Sequence, residues 1–244
     1  MQKLILSILI LFVGFHYSNA QQTRGIFSGE VIYGSPMNVI TFQYTVHKRP
    51  GTNKADTTLR DTVFYDQNGN TLESHTRTGY QQTFSIIKYS SRYNEQKVKM
   101  ETTAPIKGGS LVLKYDDKGN VKELDNILRN GTLAYKALYK YDKKGNPIEY
   151  DQYDMDDSLR LRRTYQYNDK GFVTEQNDYS IHYNTSNPKD QTEGELFTKT
   201  KYTYDAFDDK GNWTKRTTYI GFTNIEPTKS AITERKIFYF RSGK

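Results

Sequence analysis

Beyond residue 20 the chain carries three histidines, His47, His75 and His182, and it has no cysteine. The histidines are far apart in sequence, and none has the His-x-x-x-His spacing that brings two imidazoles to one metal. They read as surface or strand-face side chains. The lack of cysteine removes thiolate metal ligation, a cysteine nucleophile and disulfides. There is no Gly-x-Ser-x-Gly elbow, phosphate-binding loop or Ser-x-x-Lys pair. Carboxylates cluster at Asp151, Asp154, Asp156 and Asp157, and again at Asp205, Asp208 and Asp209. With turn asparagines and carbonyls they could offer calcium several hard oxygens, but the Asp-x-Asp-x-Asp-Gly order of a dedicated loop is missing. Solvated turns account for them more simply. Two carboxylates for glycoside hydrolysis could meet across a sheet, yet no pair stands out. No metal, cofactor or catalytic residue is assigned, and a non-enzymatic protein is expected.

Binding chemistry is better represented. The net charge is +7 and the isoelectric point is near 9.2. Lysine and arginine, Arg160 and Arg162 among them, alternate with Thr and Gln. Such a row is either a solvated face that discourages edge-to-edge pairing or an attractor for an anionic envelope polymer, such as lipopolysaccharide or an acidic glycan. Aromatic rows run through Tyr139, Tyr141, Tyr165 and Tyr167, and Trp213 is the lone tryptophan. Rings at strand spacing are the covered face of a sheet or, where that face stays open, platforms on which a sugar can stack. These seven residues are the ligand-binding candidates.

The elements that carry them follow from a repeated turn. An aromatic residue, Asp or Asn, two variable residues and Gly recur at Tyr65–Gly69, Tyr115–Gly119, Tyr141–Gly145, Tyr167–Gly171 and Phe207–Gly211. The interval from Gly119 to Gly145 is 26 residues, and so is that from Gly145 to Gly171. A fixed period of this size means a stacked supersecondary unit. The motif is a hairpin turn: Asp66, Asp116, Asp142, Asn168 and Asp208 fold their side chains back onto backbone N–H groups. Gly69, Gly119, Gly145, Gly171 and Gly211 then close a type I turn in the left-handed conformation. Tyr93-Asn94-Glu95-Gln96-Lys97 stands as a degenerate unit, with Lys97 in place of Gly.

Between turns the chain alternates with period 2, which predicts antiparallel strands with one wet face. Ile40, Phe42, Tyr44 and Val46 share a face against Thr41, Gln43, Thr45 and His47. Tyr135, Ala137, Tyr139 and Tyr141 share another, as do Leu159, Leu161, Tyr165 and Tyr167, which oppose Arg160, Arg162, Thr164 and Gln166. Irregular loops are expected over Lys48 to Thr58, Thr102 to Gly109 and Tyr183 to Glu195 from their composition. Only 35% of residues are hydrophobic and mean hydropathy is −0.85, while 21 Tyr and 12 Phe supply much of the apolar surface. Half-buried strands, not a thick aliphatic core, are built this way.

The fold class expected is all-β: tandem antiparallel β-hairpins in one long twisted, curved sheet, a meander or partial β-shell. Residues 21–60 would supply N-terminal strands and a loop leading into the sheet, and residues 61–244 the continuous repeat domain. Residues 1–20 read as a signal peptide. Lys3 gives the positive start, Leu4 to Phe15 is an apolar run too short to span a bilayer, and Ser18-Asn19-Ala20 offers a cleavage site before Gln21. A transmembrane helix is not expected in the mature chain, nor lipid attachment, which needs a cysteine. The expected location is the periplasm, the cell surface or the medium, where nucleic acid is not a plausible partner.

The tandem Tyr-x-Tyr-Asp-x-x-Gly-Asn pattern resembles the YD repeats of the rearrangement-hotspot (Rhs) and teneurin superfamily, most closely the short secreted versions common in Bacteroidetes. The stretch Tyr202 to Arg216 and the strand Thr233 to Phe240 look like the closing unit of those proteins, and the resemblance covers about Thr62 to Phe240. It implies strands that wind into a sheet or shell, which in large members encloses a toxin or presents an adhesive surface. Five or six units are too few to close a large shell, and no autoproteolytic core segment is recognisable, so toxin enclosure is not expected. Asn168 and Phe172 depart from the usual Asp and Asn. Choline- and glucan-binding repeats also use aromatic hairpins with such turns, but with a shorter period and many tryptophans. The expected role is that of an exported scaffold or binder of an anionic glycan or protein partner; the alternative is a carbohydrate-active or calcium-dependent carbohydrate-binding module.

Overall fold

The computed structural model describes residues 22–24, 31–45, 57–79, 83–94, 99–183 and 191–241. The expected leader 1–20, most of the Lys48 to Thr58 loop and the Lys97 turn lie outside the described residues. Seventeen strands are found among those described. The first two, β1 (Gln22–Arg24) and β2 (Val31–Tyr33), form a small ribbon of their own. Next come β3 (Pro36–Thr45), β4 (Thr57–Tyr65), β5 (Thr71–Thr78), β6 (Ser85–Lys88), β7 (Ser90–Tyr93), β8 (Lys99–Ile106), β9 (Gly109–Tyr115) and β10 (Val121–Leu128). The remainder are β11 (Leu133–Tyr141), β12 (Pro147–Asp154), β13 (Leu159–Tyr167), β14 (Val173–Tyr183), β15 (Gln191–Phe207), β16 (Trp213–Phe222) and β17 (Thr228–Tyr239).

Strands β3 to β17 make one antiparallel sheet of 15 strands in the order β6-β5-β4-β3-β17-β16-β15-β14-β13-β12-β11-β10-β9-β8-β7. The expected all-β hairpin meander is present, but it is nearly closed into a barrel and is not an open curved sheet. Two pairings bring this about. Near the chain ends β3 lies against β17, with Thr41 opposite Arg235. At the other side β6 and β7 are consecutive pieces of one extended segment, separated by Tyr89 alone. β6 pairs with β5, whereas β7 pairs with β8. One bent strand thus belongs to both edges of the sheet, and closing edges in this way removes most of the unpaired backbone an open sheet would expose.

The recurrent turns form as their residues dictate. In all five the Gly N–H donates to the carbonyl of the Asp or Asn three residues earlier, at 2.9–3.1 Å. The glycines sit at φ 74 to 83°, in the left-handed region. Asp116 is typical: its Oδ1 accepts the N–H of Lys118 and of Asn120, and its Oδ2 accepts the Asn120 amide. The same hydrogen-bond ring recurs at Asp154–Ser158, where Asp157 adopts φ 62° without being glycine. Part of the Asp151–Asp157 cluster is therefore a hairpin turn. The loop expected over Thr102 to Gly109 is instead the end of β8 and a tight turn at Lys107-Gly108; composition misled because Pro105 is tolerated within the strand. β14 and β15 likewise extend into the expected Tyr183 to Glu195 loop.

Because the pattern alternates up and down, the five recurrent turns all lie on one rim. Directly opposed residues share a face, so the register identifies the two sides of the wall. One face carries Leu113, Leu124 and Ala137, which are nearly or fully buried. On the same face Ile32 of β2 packs with Val39, Tyr65, Val63 and Ile237. This is the inner face. Beyond Val39 the inner positions of β3 belong to Thr41 and Gln43, while Ile40, Phe42 and Tyr44 face outward, the reverse of a simple apolar-inside reading.

Candidate functional site

The inner face gathers a tyrosine cluster. Reading across the register, Tyr139 opposes Tyr150, Tyr150 opposes Arg163, and Arg163 opposes Asp178. The Tyr139 and Tyr150 rings meet edge to face at 5.2 Å, and Tyr139 stacks with Tyr141 at 6.5 Å. Arg163 makes a bidentate pair with Asp178 at 2.6 and 2.8 Å, and its guanidinium lies 5.7 Å from the Tyr150 ring centre. Gln152 accepts from the Tyr150 hydroxyl at 3.1 Å, and Gln176 donates to Asp178 at 3.2 Å. Each residue of the cluster, Tyr135, Tyr139, Tyr150 and Tyr165, is half-buried.

The electrostatics follow from burial. Desolvation is the main cause that raises the pKa of Tyr139 and Tyr165 above the ordinary phenol value, and it pushes Tyr150 up to about 12. These phenols therefore stay neutral at physiological pH and act as hydrogen-bonding rings. Asp61, on the inner face of β4, is also raised by burial, although Thr76 donates a 2.6 Å hydrogen bond to it.

The residues singled out in sequence separate into three groups. Tyr139 and Tyr165 belong to the inner cluster. Tyr141 and Tyr167 lie nearby, but their hydroxyls are committed. Tyr141 donates to the Val121 carbonyl and Tyr167 to the Pro147 carbonyl, each at 2.6 Å, and Tyr204 does the same to Val173. Each of these tyrosines ties one hairpin to the start of the outgoing strand in the hairpin before it. Trp213 is 2% exposed, with the Arg235 guanidinium 3.7 Å and that of Arg216 4.7 Å from its ring centre. It is a packing residue. Arg160 and Arg162 face outward in ion pairs: Arg162 holds Asp151 at 2.9 and 3.1 Å, and Arg160 holds Asp154 at 3.1 Å.

The outer wall repeats that theme. Lys114 lies between Glu123 and Asp125, Lys140 meets Glu149, Lys199 meets Glu175 and Lys215 meets Glu234. Cross-strand pairing of opposite charges is the ordinary way to dress a solvated sheet face. Among the acidic candidates, Asp205 accepts from Thr217 and Asp208 from Tyr239. Among the described residues no group of three His, Asp or Glu side chains is arranged to hold a metal. His75 lies against Glu73 and the Phe64 ring on the outer face.

Sequence reasoning missed Tyr150, Arg163 and Asp178. Arg163 left a signal: it falls on the Leu159, Leu161, Tyr165 and Tyr167 face, where a cation is out of place. Tyr150 and Asp178 become neighbours only through the register.

Fold and site together define a barrel-like protein of antiparallel β-hairpin repeats with an aromatic inner wall. No protein-family model matches the chain, and none of the curated proteins does. Among solved structures it is similar to a porin-like protein from Bacteroides uniformis, at 11% identity and a TM-score of 0.49, covering 83% of this chain and 96% of that one. It is also similar to TcdB2-TccC3 without its hypervariable C-terminal region, at 17% identity and a TM-score of 0.32 over 77% of this chain. A second form, TcdB2-TccC3-TEV, gives 12% identity and a TM-score of 0.19. The chain spans only 9% and 14% of those two much longer chains. No helix among the described residues is long and apolar enough to cross a membrane.

Proposed function

We propose that this chain is an exported, non-enzymatic binding protein of the bacterial envelope or cell surface, a short relative of the YD-repeat proteins, and that its inner face holds a glycan. The observation that carries this reading is the cluster of Tyr135, Tyr139, Tyr150 and Tyr165 around the Arg163–Asp178 pair. Flat rings on half-buried residues suit the apolar faces of a sugar. The neighbouring amides of Gln152 and Gln176, with the ion pair, suit its hydroxyls. A polyanion held on the outer wall is less well supported, because many of the cations there already face a carboxylate. The carbohydrate-binding reading thus takes precedence over the polyanion.

A glycan array run with the purified protein at low and high salt tests this. Binding to neutral glycans that survives high salt and is lost in Tyr139→Ala is the expected result. Binding only to polyanions, falling steeply with salt, would return the outer wall to first place. Export is tested separately by intact mass from the native host: the mature chain should begin at Gln21, and a full-length cytoplasmic protein would refute it.

A further inference from the structure

The register of the repeat exposes one residue that breaks its pattern. Six residues after the aromatic of each unit stands the first side chain of the outgoing strand. A register shift pairs Tyr65 with Thr71, Tyr115 with Val121, Tyr141 with Pro147, Tyr167 with Val173 and Phe207 with Trp213. All five of these second partners are buried. The degenerate unit keeps the same register: Tyr93 pairs with Lys99 across the same kind of shift. A lysine therefore stands where every other unit has a buried, uncharged side chain.

Its surroundings are unusual for a cation. The Lys99 ammonium lies 5.1 Å from the centre of the Tyr115 ring, and no carboxylate among the described residues reaches it as an ion pair. Arg163, the inner-face cation described above, has Asp178 at 2.6 Å. Asp66 is near enough for its charge to act on Lys99, but its carboxylate is engaged by Asn68 and Asn70 within its own turn. Burial outweighs that charge and holds the lysine below its ordinary pKa.

Lys99 also opens onto a cavity of about 650 Å³, lined among the described residues by Asp66, Asn68, Asn70, Tyr93 and Lys99. The cavity lies at the seam of the barrel. There β5 and β7 part company after Tyr89, and the turn after β4 faces the β7–β8 pair. A half-buried ammonium with a ring on one side and space on the other has three donors to offer an incoming acceptor. Keeping it there with no carboxylate pairing with it among the described residues opposes folding, as is common for a residue held in place by binding and not by packing.

We propose that the seam cavity is an anion-binding site, in which Lys99, backed by the Tyr115 ring, receives the carboxylate or phosphate of a small solute beside Tyr93. The proposal stands independently of the glycan reading, since Tyr150, Tyr165 and the Arg163–Asp178 pair do not line this cavity. The test is calorimetric titration of the purified protein at pH 7 with sodium glucuronate, inorganic phosphate and glucose. At least one anion should bind tenfold or more tightly than glucose, and which one does so identifies the source of the charge. Lys99→Met should weaken that binding at least tenfold without lowering the melting temperature of the unliganded protein, Lys99→Arg should retain it, and Tyr165→Ala should leave it unchanged. Affinity in the unmodified protein should also fall as pH is brought up to the ordinary lysine value of 10.5, because burial holds this ammonium below it. That titration decides the matter if Lys99→Met does not fold. Failure of both anions to bind, equal affinity in Lys99→Met, or affinity independent of pH would each overturn the assignment.

Discussion

The turn at Gly119 offers a clean measurement of what holds this architecture together. Gly119 sits at φ 81°, and a Cβ built on it meets nothing within 4 Å. Gly119→Ala therefore tests the backbone alone. Holding a residue with a Cβ in the left-handed region costs roughly 1–2 kcal/mol. For a chain of this size each kcal/mol moves the melting temperature by about 2–4 °C. Gly119→Asn should recover part of the loss, because Asn tolerates that conformation. Lys118→Ala, at the exposed tip, should have almost no effect. Gly221 is a contrasting control: its added Cβ would lie 2.3 Å from the Ile225 carbonyl oxygen, a steric conflict that Asn cannot relieve. Thermal unfolding followed by circular dichroism and denaturant midpoints would supply the four values. If Gly119→Ala proved as harmless as Lys118→Ala, or if Asn were no better than Ala, the left-handed turn would not be what closes the hairpin.

Three further outcomes follow from the same geometry. Tyr167→Phe removes the hydrogen bond to the buried Pro147 and should cost about 1–2 kcal/mol, because the carbonyl is left without its donor; a midpoint equal to that of the unmodified protein would sink the role of these tyrosines as ties. Asp178→Asn leaves the half-buried Arg163 without its counter-charge and should cost about 2 kcal/mol, less than a fully buried pair because both side chains keep some solvent; calorimetry showing no loss would contradict the pairing. Tyr150 is an acid whose folded pKa, pushed up to about 12, lies above its unfolded value near 10, so its contribution is complete below pH 10 and is lost as pH rises toward 12; ultraviolet titration should show it ionising late, and stability that rose over that window would refute the sign.

Much of the wall was legible in the sequence because its determinants are local. Asp142 and Gly145 specify their turn within four residues, and the Tyr135 to Tyr141 alternation specifies a strand whatever lies beside it. Closure was not legible. It depends on Ser85–Lys88 choosing β5 and Ser90–Tyr93 choosing β8, and no short-range pattern announces that one extended segment will serve two neighbours. Alternation also separates two faces without saying which one is inside. On β3 Thr41 and Gln43 face inward and Ile40, Phe42 and Tyr44 outward, and the inner wall beside Thr41 accommodates Arg235, whose Nε donates to the Trp213 carbonyl at 2.6 Å. The tyrosine cluster is a product of register: Tyr139, Tyr150, Arg163 and Asp178 come from four strands, and a shift of one residue would turn any of them to solvent.

The positions where the repeat departs from its own pattern proved more informative than those where it conforms. Phe172 replaces the turn asparagine, is fully buried, and meets Tyr33, Tyr204 and Phe207. Asn212 keeps the asparagine but redirects it. Its amide donates to the Tyr33 carbonyl and the Tyr239 hydroxyl, and its Oδ1 accepts the Tyr33 N–H at 2.7 Å. In the ordinary turns the same amide donates to the turn aspartate. Both exceptions lie beneath β2, whose Tyr33 also donates to the Lys170 carbonyl at 2.8 Å. A turn that has to receive another element gives up its self-contained hydrogen bonding to do so. By the same reasoning Lys99, which departs from its unit and has a ring but no carboxylate pairing with it among the described residues, is where a partner from outside the chain should be sought.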